Sequence, residues 1–205
     1  MKIICIGRNY AEHAAELGNQ APSEPMFFLK PDSAILPHRT PLYIPEWTHD
    51  LHYEVELVFR INRLGKYIEP RFANKYYNEV GIGIDFTARD IQQKCKEKGH
   101  PWEKAKAFDG SAAVSRHFLS LEELGKPVQE LRFSLEKNGE IVQEGFAGDM
   151  IFSVDTLIGY VSQYMTFKIG DLLFTGTPSG VGPVTAGDTL VCKLEGKEML
   201  KVNVK

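Results

Sequence analysis

Cysteine is scarce in this chain of 205 residues, and the three that are present form no motif. Cys5, Cys95 and Cys192 stand far apart without CxxC spacing, which argues against a disulfide framework and against a zinc site. A reducing compartment, the cytoplasm, is therefore expected. No apolar run is long enough to cross a membrane. The start, Met1–Gly7, is too short and too soon broken for a signal peptide, and it predicts a buried strand.

An excess of charge of either sign is also lacking. The net charge is −3 and no run of Lys or Arg occurs, so nucleic-acid and anionic-membrane partners gain no support. Apolar residues make up 43% of the chain and charged residues 25%, which is typical of a soluble globular protein. No repeat, low-complexity tract or linker divides the chain, and its length suffices for a sizeable core. We therefore expect one domain over residues 1–205.

The stretch Leu51–Ile61 alternates between apolar and polar side chains, which is the period of a half-buried β-strand. The alternation places Glu54 and Glu56 on one face, roughly 6.6–7 Å apart along the strand. Two carboxylates this close repel each other unless water surrounds both or a cation lies between them. The strand alone favours solvated glutamates on the wet face of a sheet. The functional alternative, a hard divalent cation, requires a third oxygen ligand elsewhere in the chain.

A second strand-like stretch, Val80–Phe86, carries its large apolar side chains on one face and Gly81, Gly83 and Asp85 on the other. Glycines within a strand mark a bulge or the close approach of another group. Here they would clear space on the face that carries Asp85. An ordinary turn residue and a functional carboxylate are equally good interpretations of Asp85.

A helix is predicted directly after this strand. Thr87 and Asp90 are spaced as a capping box at its start, and Gly99 ends it. Three cations fall near its C-terminal end, where positive charges interact favourably with the helix macrodipole: Lys94, Lys96 and Lys98.

Several other polar groups each have two interpretations. A short helix that Asn9 can cap would place His13 and Glu16 on one face. They form either an exposed ion pair, the commoner case, or a dyad in which the carboxylate orients a general-base imidazole. Lys30 is either a solvated strand end or an anion contact. Lys106 is either a snorkelling surface lysine or an active-site cation.

Two elements are predicted from local signals alone. Leu131–Lys137 and Glu140–Glu144 flank Asn138-Gly139, which is the signature of a β-hairpin with a type I′ turn. Ser153 is the expected N-cap of a helix that runs through Met165.

The features that carry chemistry occur together in the order of a known family. In chain order they are Gly7-Arg8-Asn9-Tyr10, His13 with Glu16, Glu54-x-Glu56, Asp85 before Thr87-Ala88-Arg89-Asp90, Ala105-Lys106-Ala107-Phe108-Asp109, and Thr175-Gly176-Thr177-Pro178. On these motifs, and over essentially the whole chain, the sequence resembles the fumarylacetoacetate hydrolase family. It is most similar to the short single-domain acylpyruvase and oxaloacetate decarboxylase branch.

The resemblance implies a fold, an assembly and a cofactor. The fold would be α+β and β-rich, a mixed β-sheet roll of the fumarylacetoacetase C-terminal type with a few short helices, assembled as a homodimer. Glu54, Glu56 and Asp85 would bind Mg²⁺ or Mn²⁺, and three carboxylates suit such a hard ion.

The resemblance also assigns roles to individual residues. Lys106 matches the active-site lysine of the family, His13 and Glu16 match the catalytic dyad of the acylpyruvase branch, and Gln92 matches its nearby glutamine. Four further positions match contacts to the anionic oxygens of the substrate: Arg8, Lys30, Arg89 and Thr177.

The reaction implied is metal-dependent cleavage of the C3–C4 bond of a short 2-oxo acid. Acylpyruvates would give pyruvate and a carboxylic acid, and oxaloacetate would lose CO₂ to give the same enolate. In the hydrolysis His13 with Glu16 would activate water, and Lys106 would stabilise negative charge. Two alternatives stay open: an isomerase or hydratase of a catabolic 2-oxo diacid, of the 2-hydroxyhepta-2,4-diene-1,7-dioate isomerase type, and a non-enzymatic 2-oxo acid binding module.

Overall fold

Strands dominate the computed structural model, which describes residues 1–12 and 22–205. The strands are β1 (Ile3–Gly7), β2 (Met26–Lys30), β3 (Leu51–Tyr53), β4 (Val55–Ile61), β5 (Tyr77–Asp85), β6 (Thr87–Ala88), β7 (Ala112–Val114), β8 (Leu119–Ser120), β9 (Arg132–Lys137), β10 (Glu140–Phe146), β11 (Leu172–Phe174), β12 (Gly182–Pro183), β13 (Thr189–Leu194) and β14 (Lys197–Asn203). The α-helices described over their whole length are α1 (Arg89–Lys98), α2 (Glu103–Lys106), α3 (Leu121–Leu124) and α4 (Val154–Tyr164). Short 3₁₀-helices occupy Asp32–Ala34, Pro70–Lys75, Val128–Glu130 and Ala147–Asp149.

The strands form three sheets. The largest is mixed, with the order β2-β1-β11-β4-β5-β7 and β8 added beside β5. Within it β1 and β11 are parallel, and the other neighbouring pairs are antiparallel. A four-stranded antiparallel sheet has the order β10-β9-β13-β14, and a small one has the order β12-β3-β6. The expected β-rich α+β fold with a mixed sheet is confirmed.

The large sheet is buried on both faces. On one face Leu57 and Ile82 join a core with Leu135 and Leu190 of the four-stranded sheet. On the other face Val58 belongs to a second, smaller cluster. Because successive side chains of a strand alternate between faces, Glu56 shares the side of Val58, and the candidate site therefore lies on the face opposite the four-stranded sheet.

The predicted single strand over Leu51–Ile61 is wrong at one residue. The strand is interrupted at Glu54, and β3 and β4 belong to different sheets. The Glu54 carbonyl accepts from Asp85 N–H at 2.8 Å, and Val55 N–H donates to the Gln143 side chain at 2.9 Å. The interruption comes from these long-range partners, which the alternating pattern does not contain. It leaves Glu54 at the junction of two sheets.

The two elements predicted from local signals are confirmed. The hairpin joins β9 to β10, and Asn138 and Gly139 both have positive φ angles, 55° and 88°, as a type I′ turn requires. Ser153 caps α4 by accepting from Thr156 N–H at 3.3 Å. The helix predicted after Asp85 ends as expected, with Gly99 in the left-handed region at φ 65°.

No helix within the described ranges is long and apolar enough to cross a bilayer.

Candidate active site

Three carboxylates meet where β3 gives way to β4 and where β5 ends. Glu54 occupies the interruption, Glu56 lies on β4 opposite Gly83, and Asp85 is the last residue of β5. Oxygen atoms of the three side chains lie within 4.8 Å of one another, and none of the three residues is more than 5% exposed. The interpretation of Glu54 and Glu56 as solvated glutamates on a wet face is therefore wrong.

Three cations surround these carboxylates. The Lys106 ammonium donates to Glu54 Oε2 and to Asp85 Oδ2, each at 2.8 Å. Arg89 Nη2 lies 2.5 Å from Glu54 Oε1, and Lys30 Nζ lies 2.7 Å from Asp85 Oδ1. Lys30 and Lys106 are buried, so the interpretations of a solvated strand end and of a snorkelling surface lysine are wrong. The formal charges of three carboxylates and three cations cancel.

Asp85 Oδ1 has the Lys30 ammonium 2.7 Å away but makes no well-aligned hydrogen bond with it. The Lys30 ammonium donates to the Lys106 carbonyl and to both oxygens of Ser111, and these three acceptors use up its three N–H groups. Asp85 Oδ1 is buried and accepts no hydrogen bond from any residue in the described part of the chain. The three buried carboxylates offer oxygen atoms within 4.8 Å of one another, and hard divalent ions prefer such carboxylate donors. The residues present therefore fit a divalent cation.

Electrostatics distinguish Glu56 from Lys106. Burial raises the pKa of Glu56 well above its usual value, and the neighbouring Asp85 and Glu54 carboxylates raise it further. For Lys106, burial acts to lower the pKa, but Asp85 and Glu54 outweigh burial, and the pKa is raised. The Lys106 ammonium thus stays charged, whereas added positive charge near Glu56 would favour its ionised form.

The predicted capping box at the start of α1 is wrong. Ala88 occupies the N-cap position and no side chain caps the helix. Thr87 Oγ1 instead lies 2.5 Å from Lys106 Nζ and donates to Glu54 Oε1 at 3.0 Å. Asp90 accepts from Thr48 Oγ1 at 2.6 Å. Both side chains have tertiary partners that compete with the local cap.

A narrow cavity of about 40 Å³ opens onto the three carboxylates. Besides the three carboxylates, it is lined by five residues that the sequence proposed as active-site or substrate contacts: Arg8, Arg89, Gln92, Lys106 and Thr177. Gln92 Oε1 accepts from Arg89 Nη1 at 2.8 Å, and Thr177 Oγ1 accepts from Gln143 Nε2 at 2.9 Å. Lys30 does not line the cavity, because it lies behind Asp85. Its direct contact with substrate stays a prediction.

The glycines of β5 clear space for protein side chains and not for a ligand at Asp85. A Cβ atom on Gly83 would lie 2.7 Å from the Phe174 ring, and one on Gly81 would lie 2.7 Å from Ser115 Oγ. The expectation that these glycines open the face of Asp85 to a ligand is therefore wrong. They let the small apolar cluster pack tightly beneath the site.

A glycine in the loop after β11 positions Glu56. Gly176 N–H donates to Glu56 Oε2 at 2.7 Å. Gly176 has φ 97°, and a Cβ there would lie 2.8 Å from Asn9 Cβ. Asn9 anchors the same loop, since its side chain donates to Thr175 C=O at 2.8 Å and also bonds Phe152. The Asn9 side chain thus has tertiary partners, and the helix that it was expected to cap lies largely outside the described residues.

The predicted dyad of His13 and Glu16 lies outside the described residues, so its role stays a prediction. Sequence reasoning missed Thr87 and Gln143, and it gave Lys96 only a role in the helix dipole. Lys96 lines the cavity together with Arg89 and Gln92 of α1. Their spacing of three and four residues, which places all three on one helix face, was the available signal.

Comparison with known proteins extends over almost the whole chain. The model of the fumarylacetoacetate hydrolase C-terminal family matches residues 2–205. The mitochondrial oxaloacetate tautomerase of Bos taurus is 41% identical over 203 residues, which are 99% of this chain and 91% of that protein. The mitochondrial oxaloacetate decarboxylase of Dictyostelium discoideum is 42% identical over 196 residues, 95% of this chain and 89% of that protein.

A solved structure of similar shape was determined with ligands. It is the crystal structure of fumarylpyruvate hydrolase from Pseudomonas aeruginosa in complex with Mn²⁺ and pyruvate. It superposes with a TM-score of 0.93 at 37% sequence identity, covering 100% of this chain and 89% of that one.

Proposed function

The chain belongs to the fumarylacetoacetate hydrolase family, and from this membership we propose that it is a divalent-metal-dependent enzyme that cleaves the C3–C4 bond of short 2-oxo acids. The observation that carries the proposal is the buried group of Glu54, Glu56 and Asp85, whose carboxylate oxygens converge within 4.8 Å at the wall of the cavity. The Mn²⁺ and pyruvate bound to the similar fumarylpyruvate hydrolase support it.

A divalent ion held there would supply Lewis-acid stabilisation for negative charge on the C2 oxygen of the substrate. The protein residues supply the rest of the chemistry. The charged Lys106 ammonium, fixed by Glu54 and Asp85, stabilises negative charge as it develops. Arg89, with Gln92 bonded to it, orients anionic oxygens of the substrate at the cavity wall.

Hydrolysis of an acylpyruvate proceeds by addition of water to the C4 carbonyl. We assign removal of the proton from that water to His13, oriented by Glu16. The C3–C4 bond then breaks, its electron pair goes to C3 as the pyruvate enolate, and C4 leaves as a carboxylic acid. Protonation of C3 completes pyruvate. With oxaloacetate the same electron pair remains on C3 when C4 leaves as CO₂, and no water attack is needed.

A second candidate reaction is the keto–enol interconversion of oxaloacetate. The similarity of this chain to the bovine oxaloacetate tautomerase supports it. It removes a proton from C3, returns one to the C2 oxygen and breaks no carbon–carbon bond. It uses the same stabilisation of negative charge at C2 as the cleavage reactions. The residues near Lys106 therefore serve either reaction.

One set of assays separates these reactions. Purified protein is given acetylpyruvate or oxaloacetate, with Mg²⁺ or Mn²⁺ and with EDTA; pyruvate is measured enzymatically and the oxaloacetate enol by its ultraviolet absorbance. We expect metal-dependent pyruvate release that His13→Ala abolishes for acetylpyruvate. Pyruvate release from oxaloacetate alone would make the protein a decarboxylase. Loss of enol absorbance without pyruvate would make it a tautomerase.

Two negative results would overturn the proposal more deeply. If neither substrate is turned over, the isomerase and hydratase of 2-oxo diacids become the next reactions to assay. If ligand binds with metal and no reaction follows, the protein is a binding module. Calorimetry in which Glu56→Gln leaves Mn²⁺ affinity unchanged would remove the metal-ligand assignment itself.

The family model spans nearly all of the chain, and this supports our inference that residues 1–205 form one catalytic domain. A homodimer is proposed from the family resemblance alone. Sedimentation equilibrium of the purified protein measures it directly, and a monomeric mass at micromolar concentration would contradict it.

A further inference from the structure

The cavity has two chemically different ends. The carboxylates and Lys106 lie at the inner end, and a series of contacts with two aromatic side chains leads from Lys106 to Lys96. Lys106 Nζ lies 5.3 Å from the centre of the Phe28 ring, the rings of Phe28 and Trp102 are 6.0 Å apart, and Lys96 Nζ lies 5.9 Å from the Trp102 ring. Lys96 therefore marks a second charged end, beyond an apolar wall.

The position of Lys96 on α1 sets it apart from its neighbours. Arg89, Gln92 and Lys96 share one helix face and line the cavity. Lys96 is half-buried there, whereas Lys94 and Lys98 are exposed to solvent. A helix-dipole role would serve all three lysines equally, so it does not account for the burial of Lys96.

The cavity has a second cation besides Lys96. Arg8 also lines it and is half-buried, and its backbone has φ 58°, which is uncommon for a residue with a side chain. Within residues 1–12 and 22–205, neither Arg8 nor Lys96 has a carboxylate oxygen within ion-pair distance. Burial lowers the pKa of Lys96, and the charges of Arg89 and Arg8 lower it further, against the opposing effect of the Glu54 carboxylate. Like charges gathered at a half-buried rim are costly unless an anion joins them.

The formal charges around the cavity also indicate an anionic ligand near Lys96. Lys30, Arg89 and Lys106 already balance the three carboxylates at the inner end. Among the described residues Arg8 and Lys96 are additional, and a divalent ion would add two more positive charges. A ligand with a single carboxylate leaves most of this charge uncompensated.

We propose that Lys96, together with Arg8, receives a second carboxylate at the far end of the substrate and so selects dicarboxylic over monocarboxylic 2-oxo acids. Lys96 is thus a specificity-determining residue, distinct from the groups at the inner end. The proposal rests on the proposed function in placing the 2-oxo acid group of the substrate at the carboxylate end.

Two unreactive probes differ by the presence of a second carboxylate. Oxamate and N-oxalylglycine share an oxalyl amide, and only N-oxalylglycine carries a carboxymethyl arm with a second negative charge. Their affinities would be measured by calorimetry on the full-length protein saturated with Mn²⁺. The variants are Lys96→Gln, Lys96→Arg and, as a matched control on the same helix, the exposed Lys94→Gln. Both lysines and their replacements are good helix formers, so α1 is preserved.

We expect the wild type to prefer N-oxalylglycine, and Lys96→Gln to weaken its binding by about tenfold while leaving oxamate unchanged, as for a charge-assisted contact at a partly exposed site. Lys96→Arg and Lys94→Gln should retain the preference. Added salt should reduce the preference, because the contact is electrostatic and near solvent. In turnover, Lys96→Gln should raise KM for oxaloacetate and leave kcat and the KM for acetylpyruvate close to wild type.

Two results would overturn the proposal: equal weakening of both probes in Lys96→Gln, which would place Lys96 on the shared oxalyl group, or no weakening of either. Failure of the proposed function looks different. If neither oxaloacetate nor acetylpyruvate is turned over but the preference for N-oxalylglycine depends on Lys96, the second-carboxylate site stands and the reaction is wrong.

Discussion

Removing the buried ammonium of Lys106 tests the electrostatic description of the site without assuming a reaction. In Lys106→Met the hydrocarbon length is kept and the charge is lost. Glu54 and Asp85 each lose a partner at 2.8 Å, and Thr87 loses one at 2.5 Å. Breaking a buried ion pair from one side costs about 3–5 kcal/mol.

The lower end of that range applies here. Glu54 keeps Arg89 at 2.5 Å and Asp85 keeps Lys30 at 2.7 Å, so neither carboxylate is left wholly uncompensated. In a chain of this size, about 1 kcal/mol corresponds to a shift of roughly 2–4 °C in Tm. A loss of about 3 kcal/mol should therefore lower Tm by about 6–12 °C.

The assay is thermal unfolding followed by circular dichroism, in EDTA and then with Mn²⁺. The exposed Lys104 belongs to the same short helix, so Lys104→Met is the matched control and should change Tm little. Mn²⁺ at about 100 times its Kd stabilises by about 2.7 kcal/mol, and we expect a larger rise in Tm for Lys106→Met than for wild type, because the ion supplies charge that the variant lacks. A Tm in EDTA within about 2 °C of wild type would refute the reasoning.

Three further predictions concern residues around the site and in the scaffold. Gly176 has φ 97°, and the Cβ atom that Gly176→Ala adds would lie 2.8 Å from the Cβ atom of Asn9, so the substitution should lower the free energy of unfolding in denaturant by about 2–4 kcal/mol. It should also weaken Mn²⁺ binding, because the Gly176 N–H donates to Glu56. An unchanged free energy of unfolding would show that the loop adapts. Ser162→Ala should cost about 1–3 kcal/mol in the same assay by leaving the buried Ile68 N–H without its 2.8 Å acceptor, and a smaller loss would point to a replacement partner. Asp188 is partly desolvated, which raises its pKa, but hydrogen bonds from Thr185 and Asn138 outweigh this and hold the pKa below its usual value. The ionised Asp188 therefore stabilises the fold above about pH 4, so the stability difference between wild type and Asp188→Asn should be largest near neutrality and fade as the pH falls below that value; a difference independent of pH would contradict the assignment.

Local structure was predictable where the residues that determine it all lie within one short segment. The type I′ turn needs two residues that tolerate positive φ, and Asn138-Gly139 supplies both. The cap of α4 needs a hydroxyl three residues before the N–H it accepts from, and Ser153 supplies it. The three carboxylates were found by their family spacing, because spacing in the chain by itself left both the wet-face and the metal interpretation open for Glu54 and Glu56.

Elements whose partners are distant in the chain were not predictable in this way. Thr87 and Asp90 match a capping box, yet each finds a stronger partner brought by the fold, Lys106 for Thr87 and Thr48 for Asp90. The same holds for Gly83, whose missing side chain makes room for Phe174, a residue that lies far along the chain.

The sequence by itself determined the alternating strands, the hairpin turn, the cap of α4 and the set of charged residues available for chemistry, because each depends on neighbours within a few positions. Only the tertiary structure decided that the strand is interrupted at Glu54, that Lys30 lies buried behind Asp85, and that Lys96 faces a cavity. Burial and charge pairing depend on contacts between residues that are distant in the chain. A local sequence pattern does not specify which distant residues come into contact.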